Sequence, residues 1–266
     1  FEQVRPVLSL TVRGRRSAFV FGTLPAVGVT TPPGPDRGGP HGLLPPLQRE
    51  TLAYERPYEA GLAWTFSGRK VRQDFWLEWQ KLNTPDHRER FDGGVNASFR
   101  VTDALALPMQ LHVVHEGGQL YSSGAVADSA AAAIGADFHA TLAGGYVTAL
   151  ELFGLLSRYV PDRSQPDRSR DGTAFFARAS GERLGWRGHA IVWRGRNFIK
   201  DEGDQNYLSL TRSMQRYRGT RDYSEAGLTR RFAFAPGAIL DVSGRVHRVE
   251  HRYEYSFRVT SIVSSS

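Results

Sequence analysis

Apolar and polar side chains alternate over much of the chain, and this period of two runs through several separate segments. In two neighbouring segments the apolar positions are Leu62, Trp64 and Phe66, followed by Phe75, Leu77 and Trp79. Successive side chains of a β-strand point to opposite faces of its sheet, so the pattern predicts strands with one apolar face. Many segments run for about 9–12 residues, longer than the usual strand and long enough to cross a bilayer at a tilt.

Tight turns and long connections alternate between these segments. We predict six hairpins, which pair Val7–Arg13 with Ser17–Leu24, Glu59–Phe66 with Val71–Leu82, Gly94–Val101 with Leu105–Glu116, Ala132–Leu142 with Tyr146–Tyr159, Thr173–Ser180 with Leu184–Ile199, and Ala226–Phe234 with Ile239–Val263. Glycine, aspartate, serine and proline at the short turns are residues that tight hairpins favour. The three longest connections cover residues 25–58, 160–172 and 200–225. The pattern predicts a single all-β domain over residues 1–266, with about 12 strands in up-and-down order.

The last predicted segment, Ile239–Val263, changes the parity of its apolar positions. Leu240 and Val242 occupy even positions, whereas Tyr253 and later aromatic residues occupy odd ones. A β-bulge near Arg248–His251 would return the apolar side chains to one face. This arrangement leaves both chain ends on the side of the long loops, so we expect a missing strand at each end or a wrong division of the first or last segment. The complete barrel would then have about 14 strands or more.

The hairpin pattern resembles that of bacterial outer-membrane β-barrels, over nearly the whole chain. The segments that carry the resemblance are GLAWTF (61–66), FWLEW (75–79) and RYEYSFRV (252–259). The resemblance implies an up-and-down antiparallel transmembrane barrel in the bacterial outer membrane, with membrane lipids around it, short turns in the periplasm and long loops outside. Aromatic residues near predicted strand ends suit interfacial girdles: Trp79, Tyr146, Tyr159, Trp186, Phe198 and Phe234. A soluble all-β protein with long strands is the alternative.

Composition argues against several other classes of protein. Only 40% of the residues are hydrophobic and mean hydropathy is −0.39. No stretch approaches the roughly 18 apolar residues of a membrane helix, which argues against a helical membrane protein but not against a barrel with a wet interior. The absence of cysteine excludes disulfides, thiol catalysis and cysteine-bound metals. The chain begins at Phe1 without a signal peptide, so we expect that one was removed or that the chain is a fragment.

Charge is concentrated in arginine, and the net charge is +7. The arginines are spread along the chain, which argues against a nucleic-acid partner. Strand parity predicts that these charged or titratable residues line the interior: Arg72, Glu78, Arg100, His112, Asp137, His139, Glu151, Arg178, Arg187, Arg231 and Arg245. Because rings of arginine set pore selectivity, they predict a porin-like, anion-preferring channel for small anionic or polar solutes. The alternative is a non-conducting structural barrel, braced by ion pairs, that hosts a plug or a partner subunit.

The sequence contains only weak signals for a metal-binding or catalytic site. His112 and His115 have opposite parity in a strand, and His247 and His251 lack the HExxH motif, so we predict neither a metal nor any other cofactor. Ser98 with His112, or Asp137 with His139, could be neighbours in a barrel hydrolase, but the GxSxG motif is absent. The sequence therefore predicts a barrel that is not an enzyme and has no catalytic residue.

Two long connections contain apolar residues that suggest order. The first, residues 41–61, mixes leucines and Tyr54 with charged residues. We expect it to constrict the lumen, to bind a partner, or to pack on its own side chains as an Ω-like loop. The second, Gln205–Arg218, is expected to form a short helix or to extend the strands above the membrane.

Overall fold

Thirteen strands form one antiparallel sheet in which each strand pairs with its neighbours in the chain. The computed structural model describes residues 8–24, 40–56, 58–121, 123–210, 219–235, 237–249 and 251–263. The strands are β1 (Ser9–Arg13), β2 (Ser17–Thr23), β3 (Ala60–Ser67), β4 (Val71–Lys81), β5 (Glu89–Arg100), β6 (Leu105–Gly117), β7 (Ala127–Leu142), β8 (Tyr146–Val160), β9 (Arg170–Arg183), β10 (Trp186–Arg196), β11 (Thr220–Ala235), β12 (Ala238–Val249) and β13 (Arg252–Val263). The described helices are α1 (Leu52–Glu55) and a 3-10 turn at Pro166–Arg168, and neither is long and apolar enough to cross a membrane.

The sheet curls into an up-and-down barrel, as the alternation predicted. His112 on β6 contacts the carbonyl oxygen of Leu47 at 2.9 Å, and Arg258 on β13 contacts the carboxylate of Glu50 at 2.7 Å. Strands β6 and β13, seven positions apart in the strand order, therefore reach the same short segment. Within the described residues, β1 and β13 are the two edges of the sheet and do not pair with each other.

The distribution of apolar side chains is inside out relative to that of a soluble protein. Large apolar residues on the outward face are exposed, with Phe257 exposed by 88% and Leu156 by 62%. The opposite face carries buried polar residues such as Asp92, His112 and Glu225. Soluble proteins rarely expose apolar surface so extensively, whereas a transmembrane barrel turns this face to lipid.

The final predicted segment is two strands rather than one bulged strand. His251 lies in a turn between β12 and β13 and adopts a left-handed backbone conformation with φ of 70°. The reversal pairs Val249 with Arg252 and puts Tyr253 on the outward face. The parity change that suggested a bulge therefore reflects a hairpin, and the described barrel has thirteen strands.

Two connections fold into the barrel. The first inner loop, residues 40–56, buries four leucines almost completely: Leu43, Leu44, Leu47 and Leu52. The second inner loop, residues 197–210, buries Phe198, Tyr207 and Leu208. Tyr207 packs edge-on against Trp193 and Tyr223 of the strand wall, with ring centroids 5.2 and 4.8 Å apart. The first connection therefore folds into the lumen, which is the first of the three arrangements expected for it.

The two inner loops also bind each other through their backbones. The Arg49 amide donates to the Glu202 carbonyl at 2.7 Å, and the Asp204 amide donates to the Pro45 carbonyl at 2.9 Å. Residues 205–210 contain no regular helix or strand, and 211–218 lie outside the described residues. The prediction of a helix or a strand extension over Gln205–Arg218 is therefore wrong for its described half.

Four of the six predicted girdle residues lie on the outward face. Trp79, Tyr146, Trp186 and Phe234 are exposed there. Tyr159 pairs with Ser129 on the inward face, and Phe198 is buried in the second inner loop. Phe198 lies beyond the end of β10, and Tyr159 has the parity of Glu151 and therefore lies on the polar, inward face.

Candidate functional site

The strand register puts all eleven predicted interior residues on the inward face. Several form ion pairs with carboxylates, across neighbouring strands for three arginines and along β7 for His139. The pairs are Arg178 with Glu151 (2.7 Å), Arg187 with Glu182 (2.7 Å), Arg231 with Asp241 (2.7 and 2.8 Å) and His139 with Asp137 (2.8 Å). Arg72 and Arg100 are exposed near the short turns, while Glu78 lies beside Arg56 of the first inner loop. That these residues guide a solute stays a prediction.

A buried cluster surrounds His112 on β6. Its Nε2 atom contacts Asp92 at 2.9 Å, its Nδ1 atom contacts the Leu47 carbonyl at 2.9 Å, and Trp76 donates to Asp92 at 3.0 Å. Gly94 makes room for this packing, because a Cβ there would overlap the Trp76 ring. Both imidazole nitrogens face acceptors, so a charged imidazolium that donates to both satisfies the site. No nitrogen is left to accept a proton from a nucleophile.

The predicted pair of Ser98 and His112 is not brought together. Ser98 lies opposite Pro108, whereas His112 lies opposite Gly94, four residues farther along β5. Asp137 and His139 do contact each other, but they follow one another on the same face of β7. Neither pair supplies a serine–histidine contact.

One group of side chains has the donors for a divalent cation. One ligand atom each from Asp92, His112 and Glu202 lie within 4.8 Å of one another, and one Glu202 oxygen lacks a hydrogen-bond partner. However, the other Glu202 oxygen contacts the guanidinium groups of Arg56 at 2.6 Å and Arg90 at 3.2 Å. These cations and the His112–Asp92 pair already balance the carboxylates, so the group is an ion-pair network that does not fit a resident metal.

Lys200 of the second inner loop lies beside this network. Burial lowers the pKa of its ammonium group to about 8, against the opposing effect of Asp92, Asp201 and Glu202. The ammonium donates to the Asp201 carbonyl at 2.7 Å. The second inner loop thus adds a further cation to the acidic residues of β5.

His41 of the first inner loop is held between carboxylates. Its Nε2 atom is 2.9 Å from Glu59, its Nδ1 atom is 3.8 Å from Asp74, and its ring stacks on Trp76 with centroids 3.7 Å apart. Burial opposes the charge, but hydrogen bonds and attraction to Asp74 and Glu59 outweigh it and raise the pKa of His41 to about 9. The charged imidazolium therefore ties this loop to β3 and β4.

The stability of the barrel is expected to fall between pH 6.5 and pH 9 because of His41. A pKa that is higher in the folded protein contributes stability fully below the unfolded value of 6.5 and loses it as pH rises through about 9. The contribution is about 3 kcal/mol. Urea unfolding at pH 6 and pH 10 should show a larger loss for the native protein than for His41→Asn. Equal losses would contradict this role, and His87→Asn, at an exposed loop histidine, is the control.

A second cluster joins three adjacent strands at the β13 edge. Ser256 on β13 lies with its Oγ 2.7 Å from Nε2 of His247 on β12. The Nδ1 atom of His247 is 2.7 Å from the Tyr223 hydroxyl and 3.3 Å from the Glu225 carboxylate on β11. Tyr223 and His189 both contact Glu225, at 2.5 and 2.7 Å. The Ser256 cluster thus contains a nucleophile (Ser256), a base (His247) and an acidic group (Glu225), each in contact with the next.

Hydrogen-bond donors and acceptors fix the tautomer of His247. Glu225 can only accept, so the Tyr223 hydroxyl donates to it and offers its own oxygen to the His247 Nδ1–H. The Nε2 atom then carries the lone pair and accepts the proton of Ser256. This is the protonation state in which a histidine acts as a general base toward a serine.

Strand periodicity and register build the Ser256 cluster. Glu225 pairs with His247 across β11 and β12, and Ser256 pairs with Arg245, so Ser256 and His247 are diagonal neighbours on one face. Gly227 leaves space beside Glu225, because a Cβ there would overlap the His189 ring. Ser256 is exposed, whereas the Glu225 side chain is only 5% exposed.

Positive charge lies beside the serine. Arg245 pairs with Ser256 in the register, and Arg258 lies two residues farther along β13 on the same face. Both guanidinium groups approach Glu50 of the first inner loop, at 3.6 and 2.7 Å. Burial raises the pKa of Glu50, and the two arginines oppose that rise. Arg245 also lies 3.6 Å from Glu225, so the two guanidinium groups near Ser256 belong to a network with two carboxylates.

The Ser256 cluster was not among the predicted sites, because Ile239–Val263 was predicted as one strand. His247 and Ser256 would be far apart in such a strand. The chain reverses between Val249 and Arg252 and brings them together. The useful signal was the parity change itself, because a hairpin explains it as well as a bulge does.

Comparison with known proteins adds a family. A family model described as lipid A 3′-O-deacylase-type matches residues 1–264. No curated protein matches the chain significantly. Among solved structures, a double variant of OccD1 (OprD) is similar, with 10% sequence identity, a TM-score of 0.41, and coverage of 96% of this chain and 76% of that chain. The family is one of enzymes, so the expectation that this barrel is not an enzyme is wrong.

Proposed function

The chain belongs to the lipid A 3′-O-deacylase-type family, and from this membership we propose that it is an ester hydrolase of the bacterial outer membrane. Its substrate is lipid A or a similar acylated glycolipid. The observation that carries the proposal is the contact of 2.7 Å between Ser256 and His247, with Tyr223 and Glu225 behind the histidine. A nucleophile, a base and an orienting group in this order are the requirements for acyl transfer through a covalent intermediate.

The reaction follows from the hydrogen bonds in the Ser256 cluster. Ser256 Oγ attacks the ester carbonyl carbon while its proton passes to Nε2 of His247, and the guanidinium of Arg245 lies near the resulting oxyanion. Collapse of this intermediate breaks the ester bond, and His247 gives the proton to the departing sugar alkoxide. Water then attacks the acyl-serine, again with His247 as the base, and releases the fatty acid and free Ser256.

The position of the cluster suits a lipid substrate of the outer leaflet. His247 lies two residues before the end of β12, at the end of the barrel that also carries the long connections. In outer-membrane barrels that end faces outside. Among the described strands, β13 pairs only with β12, so an acyl ester in the membrane can approach Ser256 past this edge.

Release of fatty acid from lipid A in mixed micelles tests the proposal. We expect Ser256→Ala to lower the rate by at least about 10³-fold, because a serine nucleophile cannot be replaced by a methyl group. Mass spectrometry of the lipid products gives both the rate and the ester position. A fluorophosphonate probe should label Ser256 in the native protein.

Ser98→Ala is the matched control, because Ser98 lies on the same inward face but opposite Pro108 and away from His247. It should retain the native rate. Full activity of Ser256→Ala, or equal loss in both variants, would overturn the assignment of the nucleophile. Activity on short water-soluble esters alone would leave Ser256 in place and reject the glycolipid.

The anion-preferring channel has less support as the function. The two inner loops lie across the interior and contact each other through Arg49 with Glu202 and Asp204 with Pro45. Interior arginines such as Arg178 and Arg231 are paired with carboxylates. The alternative of a plugged barrel has more support, and here the two inner loops of the chain itself form the plug.

A further inference from the structure

Two arginines lie on the outward face near the short-turn end of the barrel. Arg183 on β9 and Arg230 on β11 both pair with Trp186 of the strand between them. Inward positions of these strands are taken by residues of the opposite parity, including Arg178 and Glu225. The register therefore produces a row of arginine, tryptophan and arginine at one height on the lipid-facing surface.

Aromatic rings hold both guanidinium groups. Arg183 lies 4.3 Å from the centroid of the Tyr146 ring and donates to its hydroxyl at 2.6 Å. Arg230 lies 5.1 Å from the Trp186 ring and 5.5 Å from the Phe232 ring. Such contacts orient an arginine and leave further N–H donors directed to the surroundings.

These guanidinium groups have no carboxylate partner within the described part of the chain. Arg230 donates to the Leu184 carbonyl at 2.5 Å, a neutral acceptor. The acidic residues nearby serve the inward face, where Glu182 pairs with Arg187 and Asp241 pairs with Arg231. A guanidinium group at the edge of the hydrocarbon region is stabilised by an anion, and lipid headgroups surround the barrel at this depth.

The surface around the row is apolar enough to receive acyl chains. Trp186 is 48% exposed and Leu184 is 80% exposed at the tip of the β9–β10 turn, while Phe232 and Phe234 stack on each other. Neighbouring strands are about 4.8 Å apart, so the backbones of the two arginines lie roughly 10 Å apart, within reach of one phosphate. Two guanidinium groups can bind phosphate oxygens in bidentate geometry.

We infer that Tyr146, Arg183, Trp186 and Arg230 form a binding site for the phosphate of an anionic phospholipid in the leaflet at the short-turn end. The phosphate lies between the two guanidinium groups, and the acyl chains run along Phe232 and the neighbouring outward side chains. This site is independent of the proposed hydrolysis, because it lies on the outward face of the barrel, whereas Ser256 lies on the inward face. Its ligand is a resident lipid that fixes the depth of the barrel in the membrane.

Native mass spectrometry of the full chain released from mixed vesicles tests the site. Vesicles contain phosphatidylglycerol and phosphatidylcholine in equal amounts, and the readout is the number and type of lipids retained. We expect retention of phosphatidylglycerol over phosphatidylcholine in the native protein. The double variant Arg183→Gln/Arg230→Gln should weaken phosphatidylglycerol binding by roughly 30-fold, from the loss of two charges near the surface.

The matched control removes two outward arginines at the other end of the barrel. Arg158 contacts Asp171 at 2.7 Å and Arg194 contacts Asp222 at 3.6 Å, so Arg158→Gln/Arg194→Gln removes as much charge but from existing ion pairs. It should keep the native preference. Equal loss in both double variants, or equal retention of both lipids by the native protein, would overturn the site.

Inorganic phosphate separates a lipid site from a free anion site. Millimolar phosphate should not displace phosphatidylglycerol, because the apolar surface at Trp186 and Phe232 contributes to lipid binding only. Displacement by phosphate alone would reject the phospholipid as the ligand. Folding of every variant is checked by the heat-dependent shift of the barrel in gel electrophoresis.

Discussion

Replacement of His247 by glutamine is expected to lower the rate of lipid A hydrolysis by about 10²–10⁴-fold, the usual contribution of a general base. Glutamine can still contact Ser256 and Tyr223, but its amide cannot take the serine proton. No other group in contact with Ser256 can accept that proton. Fatty-acid release from lipid A in mixed micelles checks the expectation.

His139→Gln is the control for His247→Gln. His139 also lies on the inward face and contacts a carboxylate, that of Asp137, at 2.8 Å, but the pair has no serine beside it. Its variant should keep the native rate. If His247→Gln also retained the native rate, the base would have to be another group and the mechanism would fail.

Replacement of Asp92 by asparagine is expected to lower the free energy of unfolding by about 3–5 kcal/mol. The His112 imidazolium would then be buried without a counter-ion, and Trp76 would lose its charged acceptor. Urea unfolding of the refolded barrel in detergent measures the change. The double variant Asp92→Asn/His112→Gln should recover part of the loss, because it no longer buries a charge.

Asp171→Asn is the control for a surface ion pair. Asp171 contacts Arg158 at 2.7 Å, but both side chains are more than half exposed. Its loss should cost less than about 1 kcal/mol. Equal costs at Asp92 and Asp171 would mean that the buried pair does not stabilise the barrel.

The period of two predicted the barrel because it is a local property of each strand. Residues such as Trp64 and Phe257 must face outward once a strand forms, whatever the remote parts of the chain do. The same parity put Arg178 and Glu151 on one inward face, where they meet across neighbouring strands. Strand faces and ion-pair neighbours could therefore be obtained from sequence alone.

The inner loops and the Ser256 cluster depend on contacts that no local pattern contains. The sequence between β12 and β13 has no glycine or proline, so only the left-handed conformation of His251 marks the reversal, and the sequence does not display backbone angles. The inward course of residues 40–56 depends on His112 and Asn96, which bind its carbonyl oxygens from β6 and β5. Tertiary partners of this kind decide between an external loop and an internal one.

The first inner loop has a consequence for the order of biogenesis. Glu50 binds Arg258, 208 positions later in the chain, while Leu47 binds His112 of β6. Glu50 is synthesised early, but it can pair with Arg258 only after β13 has formed. The loop-closure entropy of that contact is large. The barrel must therefore remain open during assembly until the first inner loop has entered it. The rate of barrel closure sets the time available for this loop to insert correctly.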